Sequence, residues 1–219
     1  MQIGLIRQAK ELFFKELKCE WRNRYALNGI LVQLLSSIFI CYLLFQQLSE
    51  SVWIALFLLV VLFSTTNAIA RSFSSESDGR MLYYHQLVHP LAVFISKAII
   101  NSIMALVVAI LAWIMFEIFL GSFEGSGQIA ALLLIFCLGT GLLLSAVSAI
   151  SSKSKGGNLL MPVLSFPLMI PMLLICISAL KKDSSKLVEN IYPDILVLSL
   201  TVTVIGLLTG LLYRFIWQE

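Results

Sequence analysis

Six apolar runs follow one another along the chain, at about residues 28–46, 52–70, 92–119, 129–150, 158–180 and 195–216. Each is long enough to cross the hydrocarbon layer of a bilayer as a helix, which takes about 20 residues. Their interiors carry no Asp, Glu, Lys or Arg. Lys97 and Glu117 fall near opposite ends of the third run, where snorkelling to the interface accounts for both. The runs are continuous rather than alternating, which excludes a transmembrane β-barrel. Charged residues make up 12% of the chain, against roughly 25% in soluble domains, so a soluble globular fold is excluded too. Mean hydropathy is +0.96. The expected fold is an all-α polytopic membrane protein of six spans, one membrane domain over residues 1–219.

Residues 5–24 read as an amphipathic helix lying in the interface. Leu5, Ala9, Leu12, Phe13, Leu17 and Trp21 recur on one face, while Arg7, Lys10, Lys15, Lys18 and Arg22 lie largely elsewhere. Anchoring on lipid and docking on a partner suit this pattern equally. No A-x-A-like cleavage site follows the first apolar run, so no cleavable signal peptide is expected.

Lysines and arginines set the orientation. Twelve fall on one side of a six-span arrangement: Arg7, Lys10, Lys15, Lys18, Arg22, Arg24, Arg71, Arg80, Lys97, Lys153, Lys155 and Arg214. Only Lys181, Lys182 and Lys186 fall on the other. Both termini are therefore expected in the cytoplasm. Trp53, Trp113 and Trp217 lie near span ends, where interfacial tryptophans belong.

Several chemistries have no residues to carry them. The chain contains no G-x-x-x-x-G-K-[ST], H-E-x-x-H or G-x-S-x-G. It is therefore not expected to be an enzyme or to hydrolyse ATP itself. A self-powered secondary carrier usually places ionisable residues at membrane depth, and none occur there. His85 and His89 are spaced i, i+4, but no further ligand accompanies them and Pro90 interrupts a helix at that point. No metal site or bound cofactor is expected. Cys19, Cys41, Cys137 and Cys176 form no C-x-x-C pair and read as small apolar residues. No basic run with interleaved aromatics marks a nucleic-acid surface.

Two features rise above composition. The first is RSFSSESDGRMLYYHQLVHP, residues 71–90, within a 71–91 cytoplasmic segment too polar to span. Its Ser, Asp and Gly residues make caps and turns, and Met81, Leu82, Leu87 and Val88 offer apolar contacts. A short surface helix docking into a partner's groove fits this composition, and so does an ordinary interfacial loop. The second is the set Pro162, Pro167 and Pro171 in the fifth run. Each removes a helix hydrogen bond, so a kinked or re-entrant segment is expected there, either as a hinge or gate or as a purely structural bend. Gly139, Gly141 and the Gly206-x-x-x-Gly210 pair suggest close helix packing.

At these two features the sequence resembles the heme exporter protein B (CcmB) family, the permease subunits of the ABC-type machine of cytochrome c maturation. The resemblance covers almost the whole chain. It rests on Phe73, Glu76, Asp78, Gly79, Leu82, Leu87, Pro90 and Lys97 after the second span, and on Phe166-Pro167-Leu168-x-Ile170-Pro171 in the fifth. The chain departs from the pattern at Phe166, where the family has leucine, at Arg80 and Met81 after the glycine, and at His89 before Pro90. The resemblance implies a type-II ABC exporter-like permease in the bacterial inner membrane. The eight residues after the second span would be ATPase-coupling residues, and the three prolines a hinge or gate. Implied partners are a CcmA-like cytosolic ATPase, CcmC-like and CcmD-like heme-handling membrane subunits, and a second copy of the chain. Heme would be cargo that the complex transports or delivers. The competing expectations are a permease for lipid or polysaccharide export and a non-transporting membrane scaffold.

Overall fold

The computed structural model describes residues 5–22, 24–45, 49–74, 90–121, 127–152, 157–184 and 191–216. Every secondary-structure element among them is an α-helix: α1 (Leu5–Arg22), α2 (Arg24–Leu44), α3 (Glu50–Ser74), α4 (Pro90–Leu120), α5 (Gly127–Ser152), α6 (Gly157–Ser184) and α7 (Ile191–Ile216). In lipid a helix satisfies its own backbone groups, which is why long apolar segments take this form and no other single-segment one. Serine and threonine are tolerated inside these helices because their hydroxyls bond back along the chain. Thr65 Oγ1 donates to the Val61 carbonyl at 2.8 Å and Ser145 Oγ to the Gly141 carbonyl at 2.7 Å.

Five of the six apolar runs fall wholly within helices, and the first does so as far as Leu44. Val52–Ala70, Leu91–Leu120, Ala131–Ser148 and Tyr192–Leu211 are long and apolar enough to cross a membrane. In α2 and α6 the described apolar stretches are Asn28–Leu44 and Val163–Ala179. The N-terminal helix is described over Leu5–Arg22, and α2 from Arg24. Helix α3 runs on through Arg71 to Ser74, into the segment expected to be polar surface, and α4 begins on Pro90. Proline suits a first helical turn, where its missing N–H would have no partner.

Helix α5 is the hub, packing on α4, α6 and α7. Helix α3 packs on α4 and α6, α2 lies against α3 and α4, and α1 packs on α4. The core is one apolar cluster running from Ile30 and Leu34 of α2 through Phe57, Phe116, Phe136 and Met172 to Leu198 of α7. The outer surface is as apolar as the core. Phe39, Ile40 and Leu43 of α2 and Leu196, Leu200, Leu207 and Leu211 of α7 are exposed. A soluble monomer does not present an apolar surface of this extent.

Candidate functional site

Helix α4 connects two differently built ends of the bundle. Its first turns lie against α1. Leu12 of α1 and Leu142 of α5 pack on a cluster of Val93, Phe94 and Ala98. One turn of α1 beyond Leu12, Glu16 Oε1 lies 3.8 Å from Lys97 Nζ, with side chains only 14% and 11% exposed. Lys97 therefore does not snorkel to open water: it is enclosed against α1. The face of α1 that packs here holds Leu12 and Glu16, spaced i, i+4. Phe14 and Leu17 stay exposed with Lys10, Lys15 and Lys18.

Further in, α4 and α5 approach at backbone distance. A side chain at Gly141 would run into the backbone N and Cα and the hydroxyl of Ser102. Ser102 Oγ donates to the Ala98 carbonyl at 2.8 Å and to the Leu138 carbonyl at 3.3 Å. Asn101 Nδ2 donates to Ser145 Oγ at 2.8 Å, and both residues are buried. The expectation of close packing at Gly139 and Gly141 is met. Gly139 faces Met172 of α6 and Val202 of α7, side chains rather than backbone. Gly206 and Gly210 are different: Gly206 meets only Leu142 Cδ1 at 3.5 Å, and nothing lies within 4 Å of a Cβ at Gly210. Among the described residues that pair mediates no backbone contact.

The buried polar side chains share one half of the bundle. Among the described residues they are Ser64, Thr65 and Thr66 of α3, Ser96, Lys97, Asn101 and Ser102 of α4, Thr140, Ser145, Ser148 and Ser151 of α5, Ser165 of α6 and Thr209 of α7. They fall in the second half of α3, α5 and α7 and in the first half of α4 and α6, the ends that lie toward α1. The opposite half is sealed by aromatic rings. Trp53 stacks on Phe57 at 5.3 Å between ring centroids, and Trp113 and Phe116 of α4 meet both edge-on at 5.3–5.5 Å. Trp53 Nε1 also donates to the Gly121 carbonyl at 3.3 Å, and Trp113 Nε1 to Glu117 Oε1 at 2.7 Å. Trp53 and Trp113, expected singly at the interface, are joined in this cluster. The spacing of Trp53 to Phe57, and of Trp113 to Phe116, was the available signal.

The residues expected to couple to an ATPase are placed unequally. Phe73 lies in the last turn of α3, Pro90 opens α4, and Lys97 is two turns further along. Glu76, Asp78, Gly79, Leu82 and Leu87 lie outside the described residues, as do His85 and His89. Among the described residues no group of His, Cys, Asp or Glu is arranged to hold a metal ion. Pro162, Pro167 and Pro171 lie in α6, which continues as a helix from Gly157 to Ser184, so the expected re-entrant break does not occur. Ser165, Met169, Met172, Cys176 and Ala179 form the buried stripe of α6, while Pro167 and Pro171 are exposed on another face.

Long apolar helices around a partly polar core, with an apolar outer surface, define a multi-pass α-helical membrane domain. Residues 7–171 match the family model of the ABC-2 type transporter, a span running from α1 into the proline-bearing half of α6. The chain belongs to the ABC-2 type transporter family, the permease component of ABC transporters. No curated protein and no solved structure matches it.

Proposed function

We propose that the chain is the permease subunit of an ATP-driven complex that exports or delivers heme for cytochrome c biogenesis in the bacterial inner membrane. The family match supports a permease worked by an ATPase partner. The heme-specific reading rests on the resemblance at Phe73–Lys97 and at Phe166–Pro171. In this reading the chain does not itself hydrolyse ATP and holds no cofactor; heme is cargo. The protein spans the membrane six times, with α2 and α6 as spans beside the four long apolar ones. Both termini face the cytoplasm.

The observation that carries the proposal is the convergence of α3, α4 and α1 at one end of the bundle. The 75–89 segment joins the end of α3 to the start of α4, and α1 packs on that start. A CcmA-like ATPase bound at Glu76, Asp78, Gly79, Leu82 and Leu87 would act directly on α4. Its closure on ATP would displace α4 against α5, with the proline-bearing α6 as hinge. Two copies of the chain would pair, with CcmC-like and CcmD-like subunits beside them.

The test is purification of the intact complex in mild detergent, with mass spectrometry of stoichiometric partners. A P-loop ATPase with a heme-handling membrane subunit is the expected result. The second reading, lipid or polysaccharide export, is favoured by the breadth of the family match, which is to ABC-2 type transporters at large. An ATPase without a heme-handling subunit would establish that reading instead. The absence of any ATPase would overturn both and leave a membrane scaffold.

A further inference from the structure

We propose that the enclosed Glu16–Lys97 ion pair is a latch that makes α1 and the first turns of α4 move as one body, so that a push on the 75–89 segment reaches the core only while the pair is intact. The proposal rests on the ATPase-driven reading above.

Three observations carry it. Lys97 sits seven residues after Pro90, about 10 Å along the helix at 1.5 Å per residue. The pair therefore grips α4 just inside the point where the 75–89 segment feeds it. Both charges are largely withdrawn from water, at 11% and 14% exposure, whereas the Arg7–Glu11 pair on the same helix is 76% and 63% exposed. An exposed pair can open and close freely, while separating an enclosed one breaks the contact where little water can replace it. Finally, Leu12 seats against Val93, Phe94 and Ala98 beside the pair, and Leu142 of α5 closes the same cluster. The latch is thus fastened to the helix whose Gly141 and Ser145 face α4 at Ser102 and Asn101. Apolar packing alone would let α1 slide along α4. The Glu16–Lys97 contact adds a directional tie at one point of that packing.

Glu16 and Lys97 are positioning residues in this account. The experiment uses the purified permease–ATPase complex in nanodiscs, with ATP as the only ligand, and reads the permease-stimulated rate of hydrolysis. Glu16→Gln and Lys97→Met should each lower the stimulated kcat roughly tenfold, within the usual range of coupling between linked sites, while KM for ATP holds. The exchanged variant, Glu16→Lys with Lys97→Glu, should recover most of that loss, which a purely structural defect would not. Spin labels at Lys10→Cys and Ile99→Cys, in a background lacking the native cysteines, should report one narrow distance. That distance should be unchanged by ATP in the intact complex and broadened in Glu16→Gln. Single variants that keep the ATPase bound and show full stimulation would overturn the latch alone. So would an exchanged variant that assembles without recovering. Failure of the unsubstituted chain to retain an ATPase would overturn the ATPase-driven reading, and the latch with it.

Discussion

Asn101 on α4 donates its amide hydrogen to Ser145 on α5 across 2.8 Å of buried interface, and Ser145 passes its own hydroxyl hydrogen to the Gly141 carbonyl. This short relay ties the two helices together in the polar half of the bundle. Hydrogen bonds between helices in membranes contribute about 0.6 kcal/mol on average and about 1.7 at most. A double-mutant cycle of Asn101→Ala and Ser145→Ala, followed by unfolding in mixed micelles, should return a coupling energy in that range. A coupling of zero would mean that the bond contributes nothing to the folded state.

The glycines should separate by what they face. Gly141→Ala forces a methyl group into the Ser102 backbone, which cannot retreat without moving α4. Overpacking of this kind costs about 1–3 kcal/mol. Gly139→Ala meets the flexible end of Met172 and the stiffer Val202, so its cost should be smaller. Gly210→Ala meets nothing and should leave stability unchanged or raise it by up to about 1 kcal/mol. Thermal aggregation midpoints in detergent should rank the three in that order.

The aromatic cluster should hold the ends of α3 and α4 together far from α1. Trp53→Ala removes stacking on Phe57 and edge contacts with Trp113 and Phe116, a loss of about 3–5 kcal/mol for a core aromatic. Trp53→Phe keeps a ring in place and forfeits the long bond to Gly121, a loss of about 0.5–1.5 kcal/mol. Unfolding midpoints of the two variants would show whether the rings or the indole N–H matter more.

Proline replacement should raise stability and lower turnover together. Pro167→Ala and Pro171→Ala each restore a backbone donor to α6, where an interior proline costs about 3 kcal/mol. If α6 is the hinge, the stiffened helix slows ATP-driven turnover of the complex. Unchanged turnover in a more stable double variant would remove the hinge role and leave the prolines as a structural feature of a lipid-facing surface.

Thiol labelling should report orientation. Cys19 is exposed on α1, while Cys137 and Cys176 are buried in the core. A membrane-impermeant maleimide should label Cys19 in inverted vesicles and not in sealed right-side-out ones. Cys137 and Cys176 should stay unmodified until the protein unfolds. Labelling of Cys19 from outside would reverse the proposed topology.

Much of the helical framework was legible before any coordinates. The runs beginning near residues 52, 92, 129 and 195 each returned as a helix long enough to cross, because a bilayer leaves a long apolar segment few other ways to satisfy its backbone. The amphipathic stretch at the N-terminus was legible as a helix, and its packing on α4 was not. Its apolar stripe divides, Leu12 docking on α4 while Leu17 stays exposed beside Phe14. Glu16 escaped notice because an acid beside an apolar stripe looks like an ordinary solvated residue until a lysine is found opposite it.

The amino-acid sequence by itself determined that this chain is a set of apolar helices preceded by a basic amphipathic one, since segment length and hydropathy suffice for that. Which faces meet was decided only in three dimensions. Lipid is as apolar as a protein core, so the pattern along α4 or α5 does not mark its buried side. The Glu16–Lys97 pair, the Gly141–Ser102 approach and the ring cluster around Trp53 each join residues distant in sequence. So does the gathering of buried hydroxyls and amides toward α1. These come from shape, from the need of buried polar groups for partners and from the register of one helix on the next, none of which is written in a single helix.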